Sequence, residues 1–225
     1  PAPIPSVAVD GSEDRLPVRR IFCVGRNYAA HAREMGKDPT REAPFFFTKP
    51  ADAALDTPCT IPYPPQTEDL HHEIELVIAI GKGGRNIAEA DVMDHVWGAS
   101  VGIDLTRRDL QAEAKKAGRP WDWGKAFDNS APIAALKPIA DVPSVEQGRI
   151  WLAVNGEVRQ DADLADLIWS VREHVAILSQ SMALAPGDII MTGTPAGVAA
   201  LVEGDVVTGG VDGIATLEVT IGPRA

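Results

Sequence analysis

The sequence predicts an α+β protein built mainly from β-strands, and three observations support this prediction. Eight short segments are rich in β-branched or aromatic residues and are bounded by Gly, Pro or Asp, as strands usually are. Helical patterns are few and short. Long connections between the strands favour a curled mixed sheet over a doubly wound α/β fold. The predicted strands cover residues 20–24, 45–48, 73–80, 96–103, 150–154, 188–191, 204–208 and 214–221.

Local signals predict one tight turn and two further helices. Asn155-Gly156 separates two strand-like segments and predicts a hairpin, because a type I′ turn requires positive φ angles that both residues tolerate. Thr106 and Asp109 resemble a capping box that opens a helix over residues 107–117. A second helix is predicted over residues 170–182, where apolar residues recur at helical spacing.

The composition is that of one well-cored domain. The chain has 225 residues, of which 45% are hydrophobic, and lacks a linker or low-complexity stretch. We expect an extended N-terminal arm over residues 1–19 and a single catalytic domain over residues 20–225. The only two cysteines, Cys23 and Cys59, are too few for a disulfide framework and favour reduced thiols in a cytoplasmic protein.

The charge of the chain narrows the classes of partner. The net charge is −11, so nucleic acid and anionic membrane surfaces would be repelled. No apolar run approaches the ~20 residues of a membrane span. Nucleic acid and anionic membranes are therefore both disfavoured as partners, and any acidic substrate would have to be attracted locally, by a metal ion or by a few cations.

Three carboxylates are predicted to lie together in the protein interior. Glu73 and Glu75 open a strand that continues as a dense apolar run, and side chains two apart on a strand share a face, roughly 6–7 Å apart. Asp104 ends the strand-like run 97–104, where ligands are often presented. Buried carboxylates this close repel each other unless a cation neutralises them. Three hard oxygen donors suit Mg²⁺ or Mn²⁺ better than zinc.

This interpretation has a plainer alternative, in which Glu73 and Glu75 lie on an edge strand and face water. The neighbouring His71 and His72 could suggest zinc, but adjacent side chains on a strand point to opposite faces. We therefore interpret at least one of these histidines as a partner of a metal ligand or as part of the pocket wall.

A pair of acid–base residues is predicted on a short helix between Asn27 and Gly36. His31 and Glu34 lie three residues apart on this helix, so that the carboxylate could orient the imidazole and raise its basicity. Such a helix is marginal without packing and could act as a lid. The alternative is a solvated ion pair on a surface helix.

Two further segments could contribute to a binding pocket. Lys125 follows a glycine in an aromatic-rich loop and could offer a buried positive charge, although a lone lysine in a loop is often solvated. The backbone N–H groups of Gly193 and Thr194, with nearby hydroxyls, could form an anion-binding corner, or this segment could be an ordinary Gly/Pro turn.

Taken together, an ordered set of motifs resembles the fumarylacetoacetate hydrolase family, from about residue 20 to residue 221. The resemblance implies a mixed β-sandwich roll, a homodimer, and Mg²⁺ or Mn²⁺ held by Glu73, Glu75 and Asp104. The motifs that carry it are residues 25–31 with Glu34, 46–50, 70–75, 102–104, 121–125 and 192–197.

The family also implies roles for individual residues. It places His31 and Glu34 on a lid, where they activate water, and gives Lys125 the task of stabilising charge. Thr194 would receive the substrate carboxylate. The other predicted substrate-binding residues are Arg26, Arg108, Gln111 and Gly193.

The expected activity is hydrolysis of the carbon–carbon bond of an acylpyruvate, in particular fumarylpyruvate to fumarate and pyruvate, in the breakdown of aromatic compounds. An oxaloacetate decarboxylase or a hydroxymuconate-type isomerase on the same scaffold is the nearest alternative. A non-catalytic protein that binds a cation only for stability is the alternative outside the enzymes. The distal group of the substrate stays open, because Arg26, Arg33, Arg107 and Arg119 could each meet a second carboxylate.

Overall fold

The computed structural model describes residues 3–30 and 42–224. The strands are short and numerous, as the sequence pattern predicts. They are β1 Ser6–Ala8, β2 Arg15–Pro17, β3 Arg20–Gly25, β4 Phe45–Lys49, β5 Ala54–Asp56, β6 Cys59–Tyr63, β7 Leu70–His71, β8 Ile74–Ile80, β9 Val96–Ile103, β10 Thr106–Arg107, β11 Ala131–Ile133, β12 Lys137–Pro138, β13 Arg149–Val154, β14 Glu157–Asp163, β15 Asp188–Met191, β16 Ala200–Leu201, β17 Val206–Val211 and β18 Ala215–Arg224. Helix α1 covers Arg108–Ala117, α2 covers Asp122–Lys125 and α3 covers Val171–Ser181, and 3₁₀ helices cover Ala51–Ala53, Glu89–His95, Ile139–Asp141 and Leu164–Asp166.

Two mixed sheets form the body of the protein. The larger sheet has the order β4-β3-β15-β8-β9-β11-β5, with β12 paired to β9, and the other has the order β14-β13-β17-β18-β6. Parallel pairs occur between β3 and β15, β5 and β11, and β6 and β18, while the other pairs in these sheets are antiparallel. This architecture agrees with the predicted curled, predominantly β fold.

Strand β8 is buried on both faces, and this places the site. Leu76, Ile78 and Ile80 belong to the main apolar cluster, which includes residues of both large sheets. Val77 and Ala79 point the other way, into a second cluster with Cys23 of β3. Because alternate residues share a face, Glu75 lies on the side of the second cluster. A carboxylate at this position is therefore placed at the edge of an apolar core.

The N-terminal segment packs on the same second cluster. Strands β1 and β2 pair antiparallel, and Val7 of β1 is fully buried among the cluster residues. The division into an arm over residues 1–19 and a catalytic domain over residues 20–225 stays a prediction.

The helix limits agree with the sequence pattern, but one predicted cap is wrong. Helix α3 begins after Ser170, whose hydroxyl accepts from the backbone N–H of Glu173 in a capping box. Helix α1 has no side-chain cap, because the Thr106 hydroxyl lies 2.7 Å from the Lys125 ammonium, and the Asp109 carboxylate accepts from Thr67 and from the N–H of Glu68. Among the described residues, no helix combines the length and apolar character needed to cross a bilayer.

A buried histidine in α3 makes folding stability depend on pH. His174 is fully buried, and its Nδ1 lies 3.3 Å from the carbonyl oxygen of Trp169, while Nε2 has no hydrogen-bond partner within residues 3–30 and 42–224. Burial lowers the pKa of His174 from 6.5 to about 4. The unfolded chain therefore takes up a proton more readily than the folded protein. The stability that the folded protein has with neutral His174 is fully present above pH 6.5, and it is lost as the pH falls towards 4.

We expect His174→Phe to reduce the loss of stability between pH 7.5 and pH 4.5 by roughly 2–3 kcal/mol, because pH 4.5 lies two pH units below the unfolded pKa of 6.5 and each unit corresponds to about 1.4 kcal/mol. Denaturant unfolding of both proteins at the two pH values measures this difference. His95→Phe, at a partly exposed histidine, is the control and should leave the loss unchanged. An equal loss in wild type and His174→Phe would contradict the assignment.

Candidate metal centre and active site

Three buried carboxylates meet at the ends of β8 and β9. Glu73, Glu75 and Asp104 are 5%, 2% and 0% exposed, and each offers an oxygen within 4.8 Å of the others. Glu75 pairs with Gly102 in the ladder, and the Asp104 N–H donates to the Glu73 carbonyl at 2.8 Å. This register places all three side chains on one face. The structure thus brings together the three residues predicted as metal ligands.

Two buried lysines contact this cluster. The Lys125 ammonium lies 2.8 Å from Glu73 Oε2 and 2.6 Å from Asp104 Oδ2. Lys49, at the end of β4, forms an ion pair with Asp104 Oδ1 at 2.8 Å and donates to the carbonyl oxygen of Leu105 at 3.0 Å. Asp104 and Glu73 together raise the pKa of Lys125 in spite of its burial. Both lysines are therefore ion-pair partners of the carboxylates.

Glu75 differs from the other two carboxylates in its surroundings. Its Oε2 accepts from the backbone N–H of Gly193 at 2.8 Å, and it makes no ion pair with a cation among the described residues. Burial, followed by the charges of Asp104 and Glu73, raises its pKa well above the usual range. A buried carboxylate with two like neighbours and no cation of its own fits a bound divalent cation. The donor set of three carboxylates suits Mg²⁺ or Mn²⁺.

The first half of α1 forms one wall of the site. Arg108 donates to Glu73 Oε1 at 2.5 Å and to Gln111 Oε1 at 2.8 Å, and its Nε lies 3.3 Å from His71 Nδ1. Gln111 is 2% exposed. His71 also lies 2.9 Å from Asp69, and burial and the Arg108 charge lower its pKa. Arg108 and Gln111 thus lie where the sequence predicts pocket residues, and His71 is part of the pocket wall.

A second wall is formed around Thr194, and sequence reasoning missed its main support. Gln160 of β14 is fully buried and donates to the Thr194 hydroxyl at 2.8 Å and to the Pro195 carbonyl at 2.9 Å. The side-chain oxygen of Gln160, Oε1, lies 2.9 Å from His72 Nδ1 and accepts from the Ile74 N–H at 3.1 Å. His72 therefore faces away from the carboxylates. Among the described residues, the Thr194 hydroxyl accepts a bond from Gln160 and has no acceptor for its own proton.

The carboxylates lie at the bottom of a cleft that opens into a cavity of about 1190 Å³. Arg26 lines both and adopts a left-handed φ of 56°, a conformation that is rare outside glycine and recurs at functional sites. The residues that line both the cleft and the cavity are Arg26, Phe47, Arg108, Gln111, Lys115, Trp121 and Lys125.

Some sequence predictions differ from the structure or fall outside it. The Gly193 N–H, predicted to be free for an anion, is occupied by Glu75. Arg107 lies away from the cleft, because its guanidinium donates to the Pro65 carbonyl and stacks over Phe127. His31, Glu34 and Arg33 lie outside the described residues, so their predicted roles stay predictions.

Comparison with known proteins gives a consistent result. Residues 20–222 match the model of the fumarylacetoacetate (FAA) hydrolase C-terminal family. The chain is 45% identical over 186 residues to the fumarylpyruvate hydrolase of Ralstonia sp, covering 83% of this chain and 96% of the relative. It is 40% identical over 199 residues to the mitochondrial oxaloacetate tautomerase of Homo sapiens, covering 88% and 90%. The crystal structure of fumarylpyruvate hydrolase from Pseudomonas aeruginosa in complex with Mn²⁺ and pyruvate superposes with a TM-score of 0.97 at 50% identity, covering 100% of this chain and 98% of the other.

Proposed function

The chain belongs to the fumarylacetoacetate hydrolase family, and we propose that it is a metal-dependent hydrolase that cleaves the carbon–carbon bond of an acylpyruvate. Its preferred substrate is fumarylpyruvate, which gives fumarate and pyruvate. The observation that carries this proposal is the buried cluster of Glu73, Glu75 and Asp104 at the bottom of a cation-lined cleft. The similarity to two fumarylpyruvate hydrolases, one of them crystallised with Mn²⁺ and pyruvate, supports the substrate.

The carboxylate cluster would hold Mg²⁺ or Mn²⁺ through Glu73, Glu75 and Asp104. When bound, this ion supplies positive charge that attracts and polarises the oxygens of a 2-oxo acid. The protein groups around the cluster supply the rest of the binding site. Arg108 and Gln111 lie on one side, and the Thr194 hydroxyl, positioned by Gln160, can donate to a substrate carboxylate on the other.

The reaction consumes one water molecule and breaks one carbon–carbon bond. Water, deprotonated by His31 with Glu34 as its partner, adds to the 4-oxo carbon of the substrate. The electron pair of the C3–C4 bond then leaves with the pyruvate fragment as its enolate, which takes up at C3 the proton that His31 removed from water. We propose that the positive charge of Lys125, which lines the cleft, stabilises the negative charge that develops on oxygen.

One experiment tests this function directly. Purified protein is stripped with a chelator, reloaded with Mg²⁺ or Mn²⁺, and mixed with fumarylpyruvate while the absorbance of the enol is followed. We expect turnover only with metal, and fumarate and pyruvate in equal amounts. His31→Asn should retain metal binding and lose hydrolysis. Equal turnover by wild type in excess chelator would reject the proposal.

A second activity is favoured by the similarity to oxaloacetate tautomerases. Enolisation or decarboxylation of oxaloacetate uses the same cation site but needs no attacking water. The two activities are separated by comparing wild type and His31→Asn on oxaloacetate and on fumarylpyruvate. A protein whose main activity is on oxaloacetate would convert it faster than fumarylpyruvate, and His31→Asn would preserve that activity.

The assembly and setting of the enzyme are also proposals. The family resemblance suggests a homodimer, which sedimentation of the purified protein would test. It also suggests a cytoplasmic enzyme of aromatic catabolism. Mg²⁺ and Mn²⁺ are both compatible with three carboxylate ligands, and titration of each ion into the stripped protein would rank them.

A further inference from the structure

A lysine on α1 extends the pocket wall beyond the residues already described. Arg108, Gln111 and Lys115 are spaced three and four residues apart, so they follow one face of the helix. Arg108 contacts Glu73 at the bottom of the cleft, and Lys115 lies seven residues further on, about 10 Å along the axis at 1.5 Å per residue. Lys115 lines both the cleft and the outer cavity. It therefore lies on the path from the carboxylates to solvent.

Lys115 lies near other positively charged side chains and has no acidic partner in the part of the chain that the structure describes. Its ammonium lies 4.8 Å from the centre of the Trp121 ring, and it forms no ion pair with an acidic side chain among the described residues. Neighbouring protein atoms, followed by the charges of Arg108 and Arg26, lower its pKa to about 8. A cation held among other cations, in a protein of net charge −11, is stabilised when an anion enters.

We propose that Lys115 binds the carboxylate at the far end of a dicarboxylic acylpyruvate, and that it thereby selects such substrates over acylpyruvates with a neutral acyl group. This inference rests on the proposed function. Fumarylpyruvate carries its two carboxylates at opposite ends of the carbon chain. When the 2-oxo acid end lies beside Glu75 and Thr194, the other end extends outwards along the cleft, where α1 presents Lys115.

Other charged residues near the cavity are less well placed for this role. Arg108 is already bonded to Glu73 and Gln111, and Arg119 lines only the outer cavity, together with the acidic Glu42 and Asp122. Arg26 lines the cleft as well and could share the carboxylate with Lys115. The sequence left four arginines open as partners of the second carboxylate. One of them, Arg107, donates to the Pro65 carbonyl and does not line the cleft.

The test compares two substrates that differ at the far end, fumarylpyruvate and acetylpyruvate, in the metal-loaded enzyme. Lys115→Met keeps an unbranched apolar side chain and removes the ammonium, together with its contact to the Trp121 ring. We expect kcat/KM on fumarylpyruvate to fall about tenfold or more, mainly through KM, with little change on acetylpyruvate. Lys115→Arg should restore most of the preference. Lys116→Met, on the adjacent exposed position of α1, is the matched control and should behave as wild type on both acids.

The outcomes separate the role of Lys115 from the hydrolase function. An equal fall on both acids, or no change on either, would overturn the role of Lys115 while the hydrolase function stands. A wild-type enzyme that hydrolyses neither acid would reject the function and, with it, this inference. Circular dichroism of each variant checks that the fold is retained.

Discussion

Glu75→Gln is expected to abolish tight binding of Mg²⁺ or Mn²⁺ and metal-dependent turnover, and yet to make the metal-free protein more stable. Glu75 is buried beside Glu73 and Asp104 with no cationic partner among the described residues. Its neutral isostere keeps an oxygen that can accept from Gly193, and its amide group can donate to the neighbouring carboxylates. Removing the repulsion should stabilise the metal-free fold by roughly 1–4 kcal/mol.

The measurement has two parts, calorimetric titration of the ion and thermal unfolding with and without it. Wild type should gain stability on adding Mn²⁺, since the ion binds only the folded state, whereas Glu75→Gln should gain little. Glu113→Gln, at an exposed position of α1, is the matched control. A Glu75→Gln protein that binds Mn²⁺ as well as wild type would show that Glu75 is not a ligand of the ion. One that is less stable than wild type without metal would show that Glu75 is not destabilised by its two neighbours.

Local sequence patterns were sufficient to predict the fold class and the carboxylate cluster. The dense apolar run after Glu75 predicts a strand buried on both faces, and β8 has two apolar clusters against its two sides. The period of two places Glu73 and Glu75 on one face, and the strand end places Asp104 beside them. These inferences need only the geometry of one strand and the ends of its neighbours.

The partners of the cluster could not be predicted in the same way, because they arrive from distant parts of the chain. Lys49 meets Asp104 across 55 residues of sequence, and no local pattern distinguishes it from a solvated lysine. Gln160 shows a second reason. Strict alternation along β14 would place Gln160 on the same outward face as the exposed Val158. However, Leu152 pairs with Gln160 while Ala153 pairs with Val158, so β14 has one extra residue between these two pairs. This bulge turns the Gln160 side chain inwards.

The failed prediction of the Thr106 cap has a related cause. The spacing of Thr106 and Asp109 fits a capping box, but the Thr106 hydroxyl lies 2.7 Å from the Lys125 ammonium and donates to the Asp104 carbonyl at 3.1 Å. A buried ammonium needs several acceptors, and this need outweighs a helix cap that contributes about 1 kcal/mol. The local rule thus fails where the hydroxyl supports the site.

Lys125→Met is expected to lower turnover of fumarylpyruvate by about 100-fold or more, the effect of removing one group that stabilises a developing oxyanion. The variant should still bind Mn²⁺, because the change removes a positive charge 2.8 Å from Glu73 and 2.6 Å from Asp104 and leaves all three carboxylates in place. Its metal-free form should be less stable than wild type, since breaking a buried ion pair leaves uncompensated charge.

Lys49→Met is the matched variant that separates catalysis from charge balance. Lys49 contacts the same Asp104, is equally buried, and does not line the cleft or the outer cavity. If Lys125 acts on the substrate, both variants lose stability, but at saturating metal Lys125→Met loses far more turnover than Lys49→Met. The loss in Lys125→Met should then affect kcat more than KM. If the two variants lose turnover equally, then Lys125 serves only to neutralise Asp104 and Glu73. A metal affinity that collapses in Lys125→Met alone would instead make this lysine a positioning residue of the carboxylates.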